Sequence, residues 1–302
     1  MRASTVTLIT CSYDADRSAC QLLCDSIDKF APSDVTHQLF VPKRDLKLFA
    51  NFRSSRRSVE AQEDLLPKSF FNVPLPRPAW RKYFHLPKRN VYLTPYSLPV
   101  RGWIAQQIMK ISATLRCESE VVAHIDSDNF FIRPFSIETL IPGGKPRFYA
   151  GTEGIGLSTH KPWYEAATTL LGANDDDVYS ADYIDQFVIW RRSVVEDMVR
   201  QIETTVGKKW AQSLAQTRHF SEYVLYGVFV ERVLGLEAAG LSKQTHSLAL
   251  WLGQSDTSRI EPNLLTHHIV CNIQSTLPVD LKDRLLAFEL LVKRAAEQDS
   301  SA

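Results

Sequence analysis

The stretch that most limits what this chain can fold into is Val121-Val122-Ala123-His124-Ile125, an apolar run rich in β-branched residues that stops at Asp126-Ser127-Asp128-Asn129. Such a run reads as a buried strand. Side chains two apart on an extended backbone leave on the same side, so the Asp126 and Asp128 carboxylates are expected to face one spot, about 7 Å apart at the root. Two anions at the end of a buried strand repel each other and lose hydration. A cation relieves both costs. Hard oxygen ligands with open positions suit Mg²⁺ or Mn²⁺, ions that also bridge the phosphates of a nucleotide. The plainer alternative is that the two acids only shape a turn ahead of Pro134, which Asp-x-Asp-Asn does readily.

Around this stretch the pattern alternates. Val6 to Thr10 predicts a first strand, and Ala19, Leu23, Ile27 and Phe30 recur at helical spacing from Ser18 to Phe30. Gln38 to Pro42 predicts a second strand. Strand, helix, strand at this spacing is a βαβ unit, the start of a mostly parallel sheet in an α/β protein. Ligands of such sheets collect at the carboxyl ends of the strands, where Ser12, Tyr13, Asp45 and Asp126 all fall. A helix is predicted from Trp103 to Leu115, with Ile104, Ile108, Ile111 and Leu115 as its buried stripe. That stripe leaves Gln106, Gln107 and Lys110 elsewhere on the surface, Lys110 serving either as a phosphate ligand or as an ordinary exposed lysine.

Further along, Gln186 to Arg191 reads as a strand, followed by a Ser193-x-x-Glu196 capping box for a helix to about Thr204. Ser221 caps another helix whose first turn carries Glu222. That carboxylate either complements the helix macrodipole or acts as a general base at the mouth of a cleft. His246 to Trp251 and His267 to Ser275 predict two late strands. A lone histidine is more often structural than a ligand, yet Mn²⁺ bound by Asp126 and Asp128 accepts an imidazole. Asp280 opens a last helix with Leu281, Leu285, Phe288 and Val292 as its apolar stripe, before a frayed tail from Glu297.

Composition excludes several classes. The net charge of +1 gives no global field for nucleic acid. The five cysteines form no C-x-x-C pair, which points to a reduced compartment. No signal-peptide run opens the chain and no 18-residue apolar window spans a membrane, so a cytoplasmic location is expected. Residues 43–101 stand apart, with thirteen Lys or Arg against four Asp or Glu and many prolines. They read as an irregular solvated insertion. The alternative is a basic aromatic lip (Arg77, Trp80, Arg81, Lys82, Tyr83) that meets an anionic acceptor or makes peripheral contact with an anionic membrane surface. Residues 1–278 are expected to form a single domain and 279–302 its C-terminal helix and tail.

Taken in order, several motifs form one set: the Thr10-Cys11-Ser12-Tyr13 loop, Trp103…Gln106-Gln107…Lys110, and His124-Ile125-Asp126-Ser127-Asp128 with Phe130 and Arg133-Pro134-Phe135. Gln186 to Trp190 and Ser221 to Gly227 complete it. Together they resemble bacterial nucleotide-sugar glycosyltransferases of the GT-A fold, in a branch often found in polysaccharide gene neighbourhoods. The similarity spans roughly residues 4–275. It implies a GT-A-like domain with a Rossmann-like, mostly parallel central sheet flanked by helices. It also implies transfer of a sugar from a nucleotide-sugar, a UDP-sugar first, to a saccharide or glycolipid acceptor at the inner face of the membrane. By the same resemblance Asp128 would chelate Mn²⁺ or Mg²⁺, and Asp126 would face the ribose or reach the ion through water. Ser12, Tyr13 and Asp45 would surround base and ribose, and Lys110 would approach the diphosphate. His246 would be the late-strand metal ligand, with His268 in competition, and Glu222 the base of an inverting enzyme. Two rivals stand beside this reading. A metal-dependent nucleotidyl- or phosphotransferase would carry a glycine-rich loop after the first strand, where Cys11 to Arg17 has no glycine. A non-catalytic sugar-binding relative would have lost the acids.

Overall fold

The computed structural model of the chain describes residues 6–73, 91–174, 179–252 and 264–301. The expected basic lip at Arg77, Trp80, Arg81, Lys82 and Tyr83 lies outside the described residues. The strands, in chain order, are β1 (Val6–Cys11), β2 (Val35–Val41), β3 (Arg57–Ala61), β4 (Phe71–Asn72), β5 (Val91–Leu93), β6 (Val100–Arg101), β7 (Val121–Ile125), β8 (Asn129–Phe131), β9 (Arg147–Tyr149), β10 (Phe187–Arg191), β11 (Ser242–Gln244), β12 (Ala249–Leu252) and β13 (Val270–Ile273). The helices that matter below are α1 (Arg17–Phe30), α2 (Gly102–Arg116), α3 (Arg192–Val206), α4 (Glu222–Val228) and α5 (Leu281–Ser300).

The central sheet runs β10-β7-β1-β2-β3, with β7, β1, β2 and β3 parallel and β10 antiparallel at one edge. Flanked by helices, it is the mostly parallel α/β sheet the βαβ pattern predicts. Period-two alternation sorts the strand residues between two layers. Ile9 and Val122 pack with Ile104 and Ile108 of α2 and with Val195 and Met198 of α3. Leu8, Val121, Ala123 and Ile125 pack on the opposite face with Leu23 and Ile27 of α1, where Phe288 and Val292 of α5 add partial cover. A second small sheet, β12-β13-β8, continues from the end of β7. Its Asn272 pairs with Asn129, which brings the β13 loop beside Asp128.

The fold departs from the sequence reading in several places. Residues 43–101 are not irregular throughout, because Arg57–Ala61 forms the outer strand of the central sheet. Two arginines of that segment are spent internally: Arg53 bonds the Val59 carbonyl, and Arg56 bonds those of Ile27, Ala31 and Pro32. The α3 capping box does not form, since Ser193 Oγ donates to Glu120 Oε1 and Glu196 pairs with Arg192. In α5 the buried stripe is Arg284, Ala287, Leu291 and Ala295, while Leu281 and Leu285 are exposed. Arg284 turns the helix this way because its guanidinium bonds the carbonyls of Ile273 and Gln274. Nor does the tail fray. Arg133 holds Asp299 at 2.6 Å and Gln298 at 2.8 Å, so α5 stays wound to Ser300.

Candidate active site

Helix α2 is buried on two sides, and its second buried face sets the site. Gln107 and Lys110 are 2% and 5% exposed, so Lys110 is neither a surface lysine nor placed to reach outward. Its Nζ lies 3.1 Å from Asp126 Oδ1 and 3.2 Å from Glu222 Oε1, and donates to the Tyr223 hydroxyl at 2.8 Å. Three oxygens therefore surround the ammonium. The contact to Asp126 Oδ1 is close enough for charge pairing without the alignment of a hydrogen bond. Burial alone would lower the Lys110 pKa, but Asp126, Tyr223 and Glu222 together hold it well above the usual lysine value. The ammonium therefore stays charged. One cation shared between two carboxylates compensates neither fully, and burial pushes the Glu222 carboxyl above its ordinary range despite Lys110. Gln107 Oε1 accepts from the Glu222 amide at 3.0 Å, which ties the start of α4 to α2. Ser221 caps α4 as expected, accepting from the Val224 amide.

Below this trio His124 is fully buried, edge-on to Trp190 at 4.3 Å. Thr114 Oγ1 donates to the Lys110 carbonyl, so the 3.0 Å contact with His124 Nε2 runs from the ring nitrogen to the hydroxyl. Burial and the Lys110 charge keep that imidazole neutral. Cys11 closes the same side, its thiol pushed up to about 12 by burial and therefore un-ionised.

Asp126 and Asp128 do not both leave an extended strand. The chain turns after β7, with the Asn129 amide donating to the Asp126 carbonyl at 3.2 Å. The two carboxylates consequently meet different partners. Asp126 pairs with Lys110 and keeps a side chain 44% exposed. Asp128 accepts from Asn272 Nδ2 at 3.1 Å and from the Ser275 amide at 2.8 Å. Burial, then the nearby Asp126 charge, raises the Asp128 pKa. The aspartates therefore still feel each other. Arg284 faces Asp128 and Asp16. Among the described residues, three carboxylates (Asp126, Asp128, Glu222) interact with two cations (Lys110, Arg284). Hard oxygen donors in a surplus of negative charge fit a divalent ion such as Mg²⁺ or Mn²⁺.

Next along the same sheet edge, the Asp14 amide donates to Asp45 Oδ2 at 3.1 Å, which draws the Ser12–Tyr13 loop against Asp45. Asp45 is 5% exposed, while Tyr13 is 47% exposed. Among the described residues, buried Ser12 Oγ has no hydrogen-bond partner. The expected third ligand, His246, belongs to a row of three histidines. His246 packs against His267 at 4.7 Å, and His267 against His268 at 4.6 Å. His268 Nδ1 is already used by the Leu265 amide. Among the described residues no three His, Cys, Asp or Glu side chains cluster as a ready-made metal cage. An open groove of about 1050 Å³ lies at the other end of the sheet, lined by Thr7, Thr36, Arg56 and Ser119 among others, and none of these carboxylates borders it.

Sequence reading overlooked Tyr223, Asn272 and Asp185. Tyr223 follows Glu222 in the chain, and Asn272 pairs in register with Asn129, the residue after Asp128. Asp185 lies two residues before β10, whose Phe187 pairs with Ile125 at the end of β7. An acid two residues ahead of a buried strand was the available signal. Its carboxyl accepts from Ser247 Oγ and the Gln186 amide, both at 2.7 Å, and burial pushes its pKa up to about 7.

Two outcomes follow from these charges. Replacing Lys110 by Met strands Glu222 beside Asp126 in an apolar layer, and unfolding in urea is expected to lose about 3–5 kcal/mol, partly recovered by adding Glu222→Gln. For Asp185 the folded pKa lies above that of the unfolded chain, so its contribution to stability is present in acid and lost as pH rises toward and through about 7. Asp185→Asn is expected to flatten the fall in thermal midpoint between pH 5 and pH 8. An unchanged slope would place that titration on another group.

Comparison with other proteins adds the following. No curated protein matches this chain. The structure of mouse xyloside xylosyltransferase 1, apo form, is similar at a TM-score of 0.46 and 9% identity, over 91% of this chain and 100% of that one. The bifunctional glycosyltransferase WbbM gives 0.49 and 13% over 98% of this chain, which spans about half (52%) of WbbM. The galactosyltransferase LgtC with donor and acceptor sugar analogues gives 0.44 and 10%, over 96% and 95% of the two chains. Residues 4–260 match the model of a family of unknown function, DUF6492, and the chain belongs to that family.

Proposed function

We propose that this protein is a glycosyltransferase that takes a sugar from a nucleotide-sugar, a UDP-sugar first, and passes it to a saccharide or glycolipid acceptor. One observation carries the reading: surplus carboxylate charge at the carboxyl edge of a parallel sheet, beside Asp45 and the buried, unpartnered Ser12 hydroxyl. The ordered motifs described for the sequence support the same class.

In this reading Asp126 and Asp128 would hold Mn²⁺ or Mg²⁺, and among the described residues no third His, Cys, Asp or Glu joins them as a ready-made cage. When bound, such an ion stabilises negative charge growing on a departing diphosphate. The chain's own groups do the rest. Lys110 fixes Asp126 through one carboxylate oxygen. Asn272 and the Ser275 amide fix Asp128. Ser12 and Asp45 offer a hydroxyl and a carboxylate to ribose or base, and the exposed Tyr13 ring offers a face for stacking. Glu222, with its raised pKa, takes the acceptor proton at its carboxylate, as an inverting transfer requires. A role in cell-surface polysaccharide synthesis, at the inner face of the membrane, is the setting that the basic 43–101 segment suits. No helix among the described residues is long and apolar enough to cross a membrane.

A thermal-shift screen with UDP-, GDP- and CMP-sugars, with and without Mn²⁺, tests the class. One nucleotide-sugar is expected to raise the midpoint only when metal is present, by the equivalent of about 2.7 kcal/mol at a hundredfold excess over Kd. Asp128→Ala should abolish that rise. Stabilisation by nucleoside triphosphates alone would instead indicate a nucleotidyl- or phosphotransferase. Glu222→Gln is expected to stop transfer while keeping donor-dependent stabilisation. Loss of both would assign Glu222 to anchoring Lys110 and nothing more.

A further inference from the structure

A line of buried polar side chains crosses the sheet and ends one residue short of Asp126. Pairing of β1 with β7 stops at Ile9 and His124. The next carbonyl toward the site, Ile125, takes the Thr10 hydroxyl as its donor, at 2.9 Å. Thr10 has one proton and spends it there. Its 3.0 Å contact with His37 must therefore run from His37 Nε2–H to the Thr10 oxygen. That tautomer leaves Nδ1 bare, and Arg57 Nε–H donates to it at 2.8 Å. Arg57 is anchored in turn by the carbonyls of Phe52 and Cys24 and by Asp28 at 2.8 Å. Thr10, His37 and Arg57 are 0%, 1% and 5% exposed. Every proton along the line has one direction.

We infer that Arg57, His37 and Thr10 are positioning residues: a four-strand relay through β3, β2, β1 and β7 that pins the Ile125 carbonyl and so sets the direction in which Asp126 leaves the sheet. The need for it is visible in the register. Beyond Ile125 the chain turns, and on the β1 side no backbone ladder holds it. Buried hydrogen-bonded chains of this kind specify one geometry because any broken link strands a polar group. His37 suits the central place, since burial and the Arg57 charge keep it neutral, with one donor and one acceptor nitrogen. The consequence for ligand binding rests on the glycosyltransferase reading. The geometric claim does not.

The test separates the two. Hydrogen exchange followed by mass spectrometry, with no ligand added, is compared for the wild type, Thr10→Val and Thr10→Ser. Thr10→Val keeps the shape and removes the hydroxyl. It is expected to speed exchange at least fivefold in peptides covering 126–131, leaving α3 and α5 peptides as in the wild type, and Thr10→Ser is expected to restore protection. Unchanged exchange at 126–131, or an even increase across the molecule, overturns the relay. Mn²⁺ affinity in the presence of UDP is then measured on the same proteins. A loss of about tenfold in Thr10→Val, with Thr10→Ser near wild type, is the expected outcome. Equal affinity in all three would confine the relay to structure and overturn its positioning role. Absence of Mn²⁺ binding in the wild type would count against the proposed activity and leave the exchange result to decide the relay.

Discussion

A single ammonium group holds the site together. Lys110 is buried, charged and shared between Asp126 from the sheet and Glu222 from the start of α4. A lysine can be kept there only because acids surround it, and the acids can be kept only because it is there. The arrangement joins α2, β7 and α4 at one point and fixes where the strand ends relative to the helices. It also leaves negative charge in excess, because one lysine serves two carboxylates and Asp128 stands nearby with neutral hydrogen-bond donors.

The sheet explains why that charge lies where a ligand can reach it. Parallel strands β1, β2 and β7 end together, and each turns into a polar loop at the same edge: Ser12–Tyr13, Asp45 and Asp126–Asp128. Residues inside the strands are divided between two apolar layers. Only the last positions escape that demand and are free to carry chemistry. The buried Thr10–His37–Arg57 line stiffens the edge from within the sheet, and the β13 loop approaches it from the other side through Asn272 and Ser275.

Much of this frame was legible from residues alone. Strand, helix and strand at βαβ spacing, and an apolar run stopping at two acids, predicted the parallel sheet and placed Ser12, Tyr13, Asp45 and Asp126 at one edge. The signal was strong because burial forces strand interiors to be apolar. Lys110 was harder, since one stripe of isoleucines accounted for the hydrophobic period of α2 and nothing local announced a second buried face. Packing by α4, more than a hundred residues away, decides that. The turn at Ser127–Asp128 and the inward rotation of Arg284 are also tertiary effects, set by β13 and its carbonyls. The Ser193–Glu196 capping box failed for the same reason, outbid by Glu120 and Arg192. The capping rule loses where a charged group offers a better partner.

The central claim is that this surplus of carboxylate charge exists to receive a divalent ion together with a nucleoside diphosphate. An electron paramagnetic resonance titration of Mn²⁺ reads free ion directly. The account predicts that the free-ion signal is depleted by one equivalent per chain when UDP is added and the protein is wild type, and that the depletion disappears in Asp126→Asn/Asp128→Asn. A free Mn²⁺ signal that is the same with and without the protein, at saturating UDP, would contradict it.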